Sequence, residues 1–134
     1  MPPIRGASEQ APVLDLAAHL AGVVAQTGAL HACVFSLANQ EVWAQSEGAS
    51  GKEMAAQGHA LLAHLMRMGQ QLSLGRSMRE AHVSLGEAQV LLRATRLRSG
   101  GVLMLVLPRD ADTSRVRERL QQYEAQALPT RAVP

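Results

Sequence analysis

The stretch GRSMREAHVSLGEAQVLLRATRLRSGGVLMLVL, residues 75–107, decides the fold. It holds three strand-like runs almost end to end: Ser77–Leu85, Ala88–Leu97 and Val102–Leu107. Their joints are Gly86-Glu87 and Ser99-Gly100-Gly101. Joints this short force neighbouring antiparallel strands. The last run is apolar at every position, the pattern of a central strand covered on both faces. Such a meander needs more sheet beside it and helices above and below.

Working outward, the chain supplies both. Val13, Leu16, Ala17, Leu20, Val23 and Val24 recur at helical spacing, and Thr27-Gly28 ends that helix. Ala29–Leu37 is β-rich with apolar residues on both faces, a second candidate for a central strand. Ala38-Asn39-Gln40 is turn chemistry, and Glu41–Gln45 alternates as a strand with one solvent face should. Ser46–Gly51 reads as a loop and Lys52–Leu72 as a long helix. After the meander, Val116, Leu120, Tyr123 and Ala127 form one face of a last helix, with Asp112 or Thr113 as its N-cap. Residues 1–11 and 128–134 read as tails, leaving one domain over residues 12–127.

Composition narrows the function classes. The aromatics are Phe35, Trp43 and Tyr123, so the core must come from Leu, Val, Ala and Met. Lys52 is the sole lysine among 13 basic residues, a bias that suggests a GC-rich bacterial genome. The net charge of +2 is small, and strand alternation would send Arg93 to one face and Arg96 and Arg98 to the other. We therefore expect no nucleic-acid partner. No N-terminal apolar run reads as a signal peptide, and Val102–Leu107 is far shorter than the roughly 20 residues that span a bilayer. We expect a soluble, cytoplasmic protein with no membrane partner.

No motif carries a reaction. Gly48-Ala49-Ser50-Gly51-Lys52 only superficially suggests a phosphate loop, because Ser46 and Glu53 stand where glycine and a hydroxyl are needed. His59 and His64 are five apart and point about 140° apart on a helix, so they cannot share one metal. His19, His31 and His82 lie on three other elements. Cys33 sits inside an apolar strand, where a small buried thiol is inert, and as the lone cysteine it can form no internal disulfide. Asp110 and Asp112 serve the last helix's N-terminus. We expect no catalytic residues, no cofactor, no metal and no enzyme activity.

The long helix has more apolar surface than docking needs. Met54, Gly58, Leu61, Leu65, Met68 and Leu72 form one stripe for the sheet. Ala55, His59, Leu62, Met66 and Gly69 extend it around one flank, giving an apolar arc of roughly 160° against about 100° for a surface helix. Such a flank suits either a loop or neighbouring helix of the same chain lying over it or, the reading favoured here, a helix–helix contact with a second subunit. Glu53, Gln57, Ala60, His64, Arg67 and Gln71 occupy the polar side.

The element order, with Leu74-Gly75-Arg76 before the meander and Leu107-Pro108-Arg109-Asp110-Ala111-Asp112 leading to Val116-Arg117, resembles the Roadblock / dynein light-chain family. Longin and profilin-like domains share parts of the pattern. The resemblance implies an α/β sandwich: a five-stranded antiparallel sheet with helices on both faces, in the order α-β-β-α-β-β-β-α. It implies central first and last strands, and homodimers that pair third strands and second helices. That places Ala55, His59, Leu62, Met66, Gly69, Arg79, Ala81 and Val83 in the dimer interface. It also implies a small Ras-like GTPase as partner, with Gln57, His64, Arg67 and Gln71 as contacts. The expected function is a non-enzymatic homodimeric GTPase-regulating module. A profilin- or PAS-like small-ligand sensor and a purely structural scaffold subunit are the alternatives.

Overall fold

A computed structural model of the protein describes residues 15–127. The tails expected at 1–11 and 128–134 lie outside the described residues. The elements run α1 (Leu16–Thr27), β1 (His31–Ser36), β2 (Val42–Gln45), α2 (Gly51–Gln71), β3 (Glu80–Ser84), β4 (Ala88–Ala94), β5 (Gly101–Pro108) and α3 (Thr113–Ala127). One antiparallel sheet forms in the order β2-β1-β5-β4-β3. The two runs that are apolar on both faces, β1 and β5, are interior strands. The α/β sandwich with element order α-β-β-α-β-β-β-α is therefore the fold.

Alternation along the interior strands divides the core in two. Ala32, Val34, Leu103, Leu105 and Leu107 face α1 and α3, where Leu20, Val23, Val116 and Leu120 meet them. Cys33, Phe35, Val102 and Met104 face α2 and its buried Met54, Ala55 and Leu62.

Local chemistry sets the helix ends. The Asp15 carboxylate accepts from the Ala18 N–H at 3.2 Å and caps α1 ahead of Leu16; Val13, expected on this helix, lies outside the described residues. Gly28 ends it with φ +76° and donates its N–H to the Val24 carbonyl. Of the two expected caps for α3, Asp112 is the one used: its Oδ1 accepts from Ser114 N and Arg115 N at 3.1 and 3.3 Å.

Two strands depart from the simple reading. In β2, Ala44 lies opposite Val34 and Val42 opposite Phe35, leaving Trp43 as the extra residue of a bulge. Trp43 and Ala44 therefore both pack on the α1/α3 side, while Val42 packs on the α2 side. The expected solvent-facing alternation of Glu41–Gln45 fails there. Strand β4 ends at Ala94, not Leu97, because Thr95 N bonds the Gly101 carbonyl and Thr95 Oγ1 accepts from Leu97 N. Arg96 and Arg98 leave the strand as a result, and the expected split of the arginines across the sheet is wrong. Arg93 and Arg96 both bias the carboxyl of Glu124 on α3, and the Arg98 guanidinium lies 3.8 Å from the Trp43 ring centroid.

Candidate functional site

Helix α2 settles with its smallest residues downward. A Cβ on Gly58 would lie 3.1 Å from Leu92 Cδ2, Met104 Sδ and Phe35 Cζ, so glycine sets the close approach to β1, β4 and β5. Gly51, Met54, Ala55, Gly58 and Leu62 form the buried seam. That seam runs between the expected docking stripe and the expected dimer flank. Ala55 and Leu62, assigned to the dimer interface, lie in the protein's own core at 1% and 0% exposure. Gly69 sits under its own chain: Leu74 N bonds its carbonyl at 2.7 Å, and a Cβ there would stand 3.1 Å from Gly75 O. His59 turns toward the β1–β2 turn, its Nδ1 lying 3.4 Å from Gln40 Nε2. Met66 is half-buried beside it and also borders the cavity beneath the loop to β3.

The apolar surface consequently has two sides. Along the β3 side, half-buried Leu61 and Leu65 pack on the cluster that includes Met78, Ala81 and Val90. Met68, Leu72 and Leu74 continue that side outward at 43, 60 and 74% exposure. Their exposure follows from length. A helix of 21 residues reaches roughly 31 Å, whereas the 8 residues of β5 reach about 26 Å. The last turn of α2 overhangs the sheet. Met68 and Leu72, expected on the docking stripe, are thus outside it; the mismatch of lengths, readable in the sequence, is the signal that separates them.

Strand β3 is the outermost strand beside this apolar side. Its ladder to β4 includes Leu85 N to Ala88 O and Ala94 N to Arg79 O. Because antiparallel pairs alternate, Arg79, Ala81, Val83 and Leu85 direct their backbone groups at β4. Glu80, His82 and Ser84 direct theirs away from the sheet. Ala81 and Val83 are half-buried toward α2, and Arg79 is exposed. On the opposite face, Glu80 Oε2 accepts from Arg117 Nε at 2.6 Å, and His82 Nε2 lies 2.7 Å from Gln89 Oε1. Gln89 Nε2 in turn donates to the carbonyls of Arg109 and Ala111. The edge is held at a fixed height, and among the described residues no strand pairs with its outer side. Gln57, His64, Arg67 and Gln71 are all exposed on the outer face of α2.

The reactive side chains are not assembled. Cys33 is buried with Sγ 3.7 Å from the Gly51 carbonyl, and burial pushes its thiol up to about 11. His19 is buried and stacks on Tyr123 with centroids 4.9 Å apart, and burial lowers its pKa. Among the described residues, no group of three or more His, Cys, Asp or Glu is placed to hold a metal. No described helix is long and apolar enough to cross a membrane.

This architecture, with its open third strand beside the second helix, is a Roadblock-like fold. No protein-family model matches the chain, and no curated protein matches it significantly. Among solved structures, the Roadblock/LC7 domain from Streptomyces avermitilis superposes with a TM-score of 0.73 at 20% identity, covering 84% of this chain and 94% of that one. MglB from Myxococcus xanthus superposes at 0.71 with 10% identity, over 83% and 89% of the two chains. Acanthamoeba castellanii profilin IB superposes at 0.58 with 15% identity, over 84% and 95%. At these identities the likeness is one of fold.

Proposed function

We propose that the protein is a non-enzymatic, homodimeric Roadblock-like module that binds and regulates a small Ras-like GTPase. The observation that carries the dimer is the coincidence of an open strand edge with an apolar helix side. Glu80, His82 and Ser84 offer backbone donors and acceptors, and Leu61, Leu65, Met68 and Leu72 lie alongside. An unpaired edge is a template for another strand, and an antiparallel β3–β3 pairing would extend one sheet through both copies. The same twofold operation brings the two α2 helices together along their apolar sides.

The partner reading rests on the Roadblock resemblance and on what the dimer leaves outside. Gln57, His64, Arg67 and Gln71 then form a polar face doubled across the pair. A platform that binds one nucleotide state more tightly shifts its partner toward that state by the ratio of the two affinities. Arg67, the arginine of α2, is read as a contact on that polar face, so the mechanism proposed is binding and not direct catalysis.

Mass in solution tests the dimer, and a monomeric wild type overturns it. The regulatory reading is tested with the small Ras-like GTPases of the source genome, loaded with GDP or a non-hydrolysable GTP analogue. One of them should bind the two states with different affinities, or exchange or hydrolyse at an altered rate. Equal affinity with unchanged rates throughout overturns the regulatory reading and leaves the dimer standing.

A further inference from the structure

The flank of α2 facing away from β3 carries a groove that the dimer would leave free. It lies between the helix and the end of β1, with a volume of about 430 Å³. Leu37, Ala63 and Met66 give it an apolar floor, Arg67 and Arg76 stand at its rim, and His59 closes one end. Among the described residues, no carboxylate lines it. Among the described residues, neither arginine makes an ion pair; the guanidinium that does is Arg117, on the other side of the sheet.

We infer that this groove binds an acidic segment of a partner protein, seating an apolar side chain on Leu37, Ala63 and Met66 while flanking carboxylates meet Arg67 and Arg76. Guanidinium groups pair with carboxylates in a bidentate fork, and their attraction is strongest where an apolar surface displaces water. An inorganic anion would satisfy the rim and leave the floor in water. A nucleic-acid strand would want aromatic rings for its bases, and none of Phe35, Trp43 and Tyr123 lines the groove. An acidic segment with an apolar anchor satisfies both rim and floor. Arg67 also borders the outer face proposed for the GTPase, so Arg76 and Ala63, both exposed, separate the two surfaces experimentally.

The test uses the full chain, methyl-labelled at Leu, Ala and Met, and a pool of 12-residue peptides built from Asp and Glu with Leu, Met or Phe. The acidic pool should shift the methyl signals of Leu37, Ala63 and Met66 and leave those of Met68 and Leu72 in place. Arg76→Glu should weaken binding of the tightest peptide about tenfold or more, and a Lys-substituted version of that peptide should recover affinity for this variant. Ala63→Glu, which fills the floor with a charge, should weaken binding similarly. Thermal melting confirms that both variants fold. The inference fails if the acidic pool moves none of the three methyl signals, or if a Lys-built pool binds the wild type equally well. It also fails if inorganic phosphate or a single-stranded oligonucleotide produces the same shifts at the same concentration.

Discussion

The two edges of the sheet are built in opposite ways. At β2, a strand of four residues, the bulge swings Trp43 inward, and Arg98 covers its ring. Gly101 approaches that ring so closely that a Cβ would lie 2.7 Å from Trp43 Cζ3. At β3, five residues alternate without a bulge, with Ala81 and Val83 inward and the backbone of Glu80, His82 and Ser84 outward. Bulges and brevity protect an edge from foreign strands, and regular alternation invites them. The contrast supports β3, over the bulged β2, as the edge proposed for a second copy.

The largest test acts on β3 alone. Val83 directs its backbone at β4, so proline there would damage the protein's own sheet. His82→Pro removes an outward N–H instead, and His82→Ala controls for the lost contact to Gln89. Across a twofold seam, two backbone bonds disappear at about 1 kcal/mol each, so the dimer should weaken at least about 30-fold. Sedimentation or light scattering should find His82→Pro monomeric and His82→Ala dimeric. If both remain dimeric at micromolar concentration, β3 is not the seam.

At β2 the corresponding change should cost stability and leave assembly alone. Gly101→Ala forces a methyl to within 2.8 Å of Thr95 Cγ2 as well as against Trp43. Overpacking of this kind costs about 1–3 kcal/mol, visible as a lowered melting temperature with unchanged mass in solution. A variant that melts like the wild type would show that the ring is not tightly held.

Next in size comes a comparison within α2. Met68→Glu places a charge on the exposed apolar side next to β3 and should weaken the dimer about tenfold, while Met66→Glu, which lies toward the groove, should have much less effect. Equal effects on sedimentation would mean that both sides of the helix enter the interface.

The element order and both interior strands were legible in periodicity and turn residues, whereas the proposed role of the third strand as a seam came from the family resemblance. The orientation of α2 was not. Helical spacing gives the width of an apolar arc but not its centre, and Gly58 and Ala55 shifted that centre by letting the helix descend on small residues. Ala55 and Leu62 thereby moved from the expected interface into the core. The arginines misled for a related reason: alternation holds only inside a strand, and the Thr95–Gly101 bond ends β4 before Arg96. Bulges and strand ends are tertiary outcomes, which is why Trp43 and Arg98 could not be paired in advance.

Arg98→Ala tests the cover on β2 directly. Losing the cation–π contact should lower stability by about 0.5–1 kcal/mol, the range for partly exposed pairs, and should shift the Trp43 fluorescence toward longer wavelength as water reaches the ring. An unchanged emission spectrum would mean that the guanidinium does not shield it.

The smallest effect concerns Glu124, whose carboxyl is buried beside Thr95 at the same closed end of the sheet. Burial raises its pKa, while Arg93, the Thr95 hydroxyl and Arg96 lower it and offset part of that rise. A folded pKa above the unfolded one means that the native state holds its proton more tightly. Below the ordinary carboxylate range the group is neutral in both states and exerts no penalty. As pH rises through that range the unfolded chain ionises first, and stability falls until the native carboxyl ionises too. Glu124→Gln keeps the shape and removes the titration, so the variant should gain melting temperature over the wild type as pH rises from about 4 to neutrality. A difference that is constant across that window would place the effect in packing and not in charge, and would mean that the arginines fully compensate the buried carboxylate.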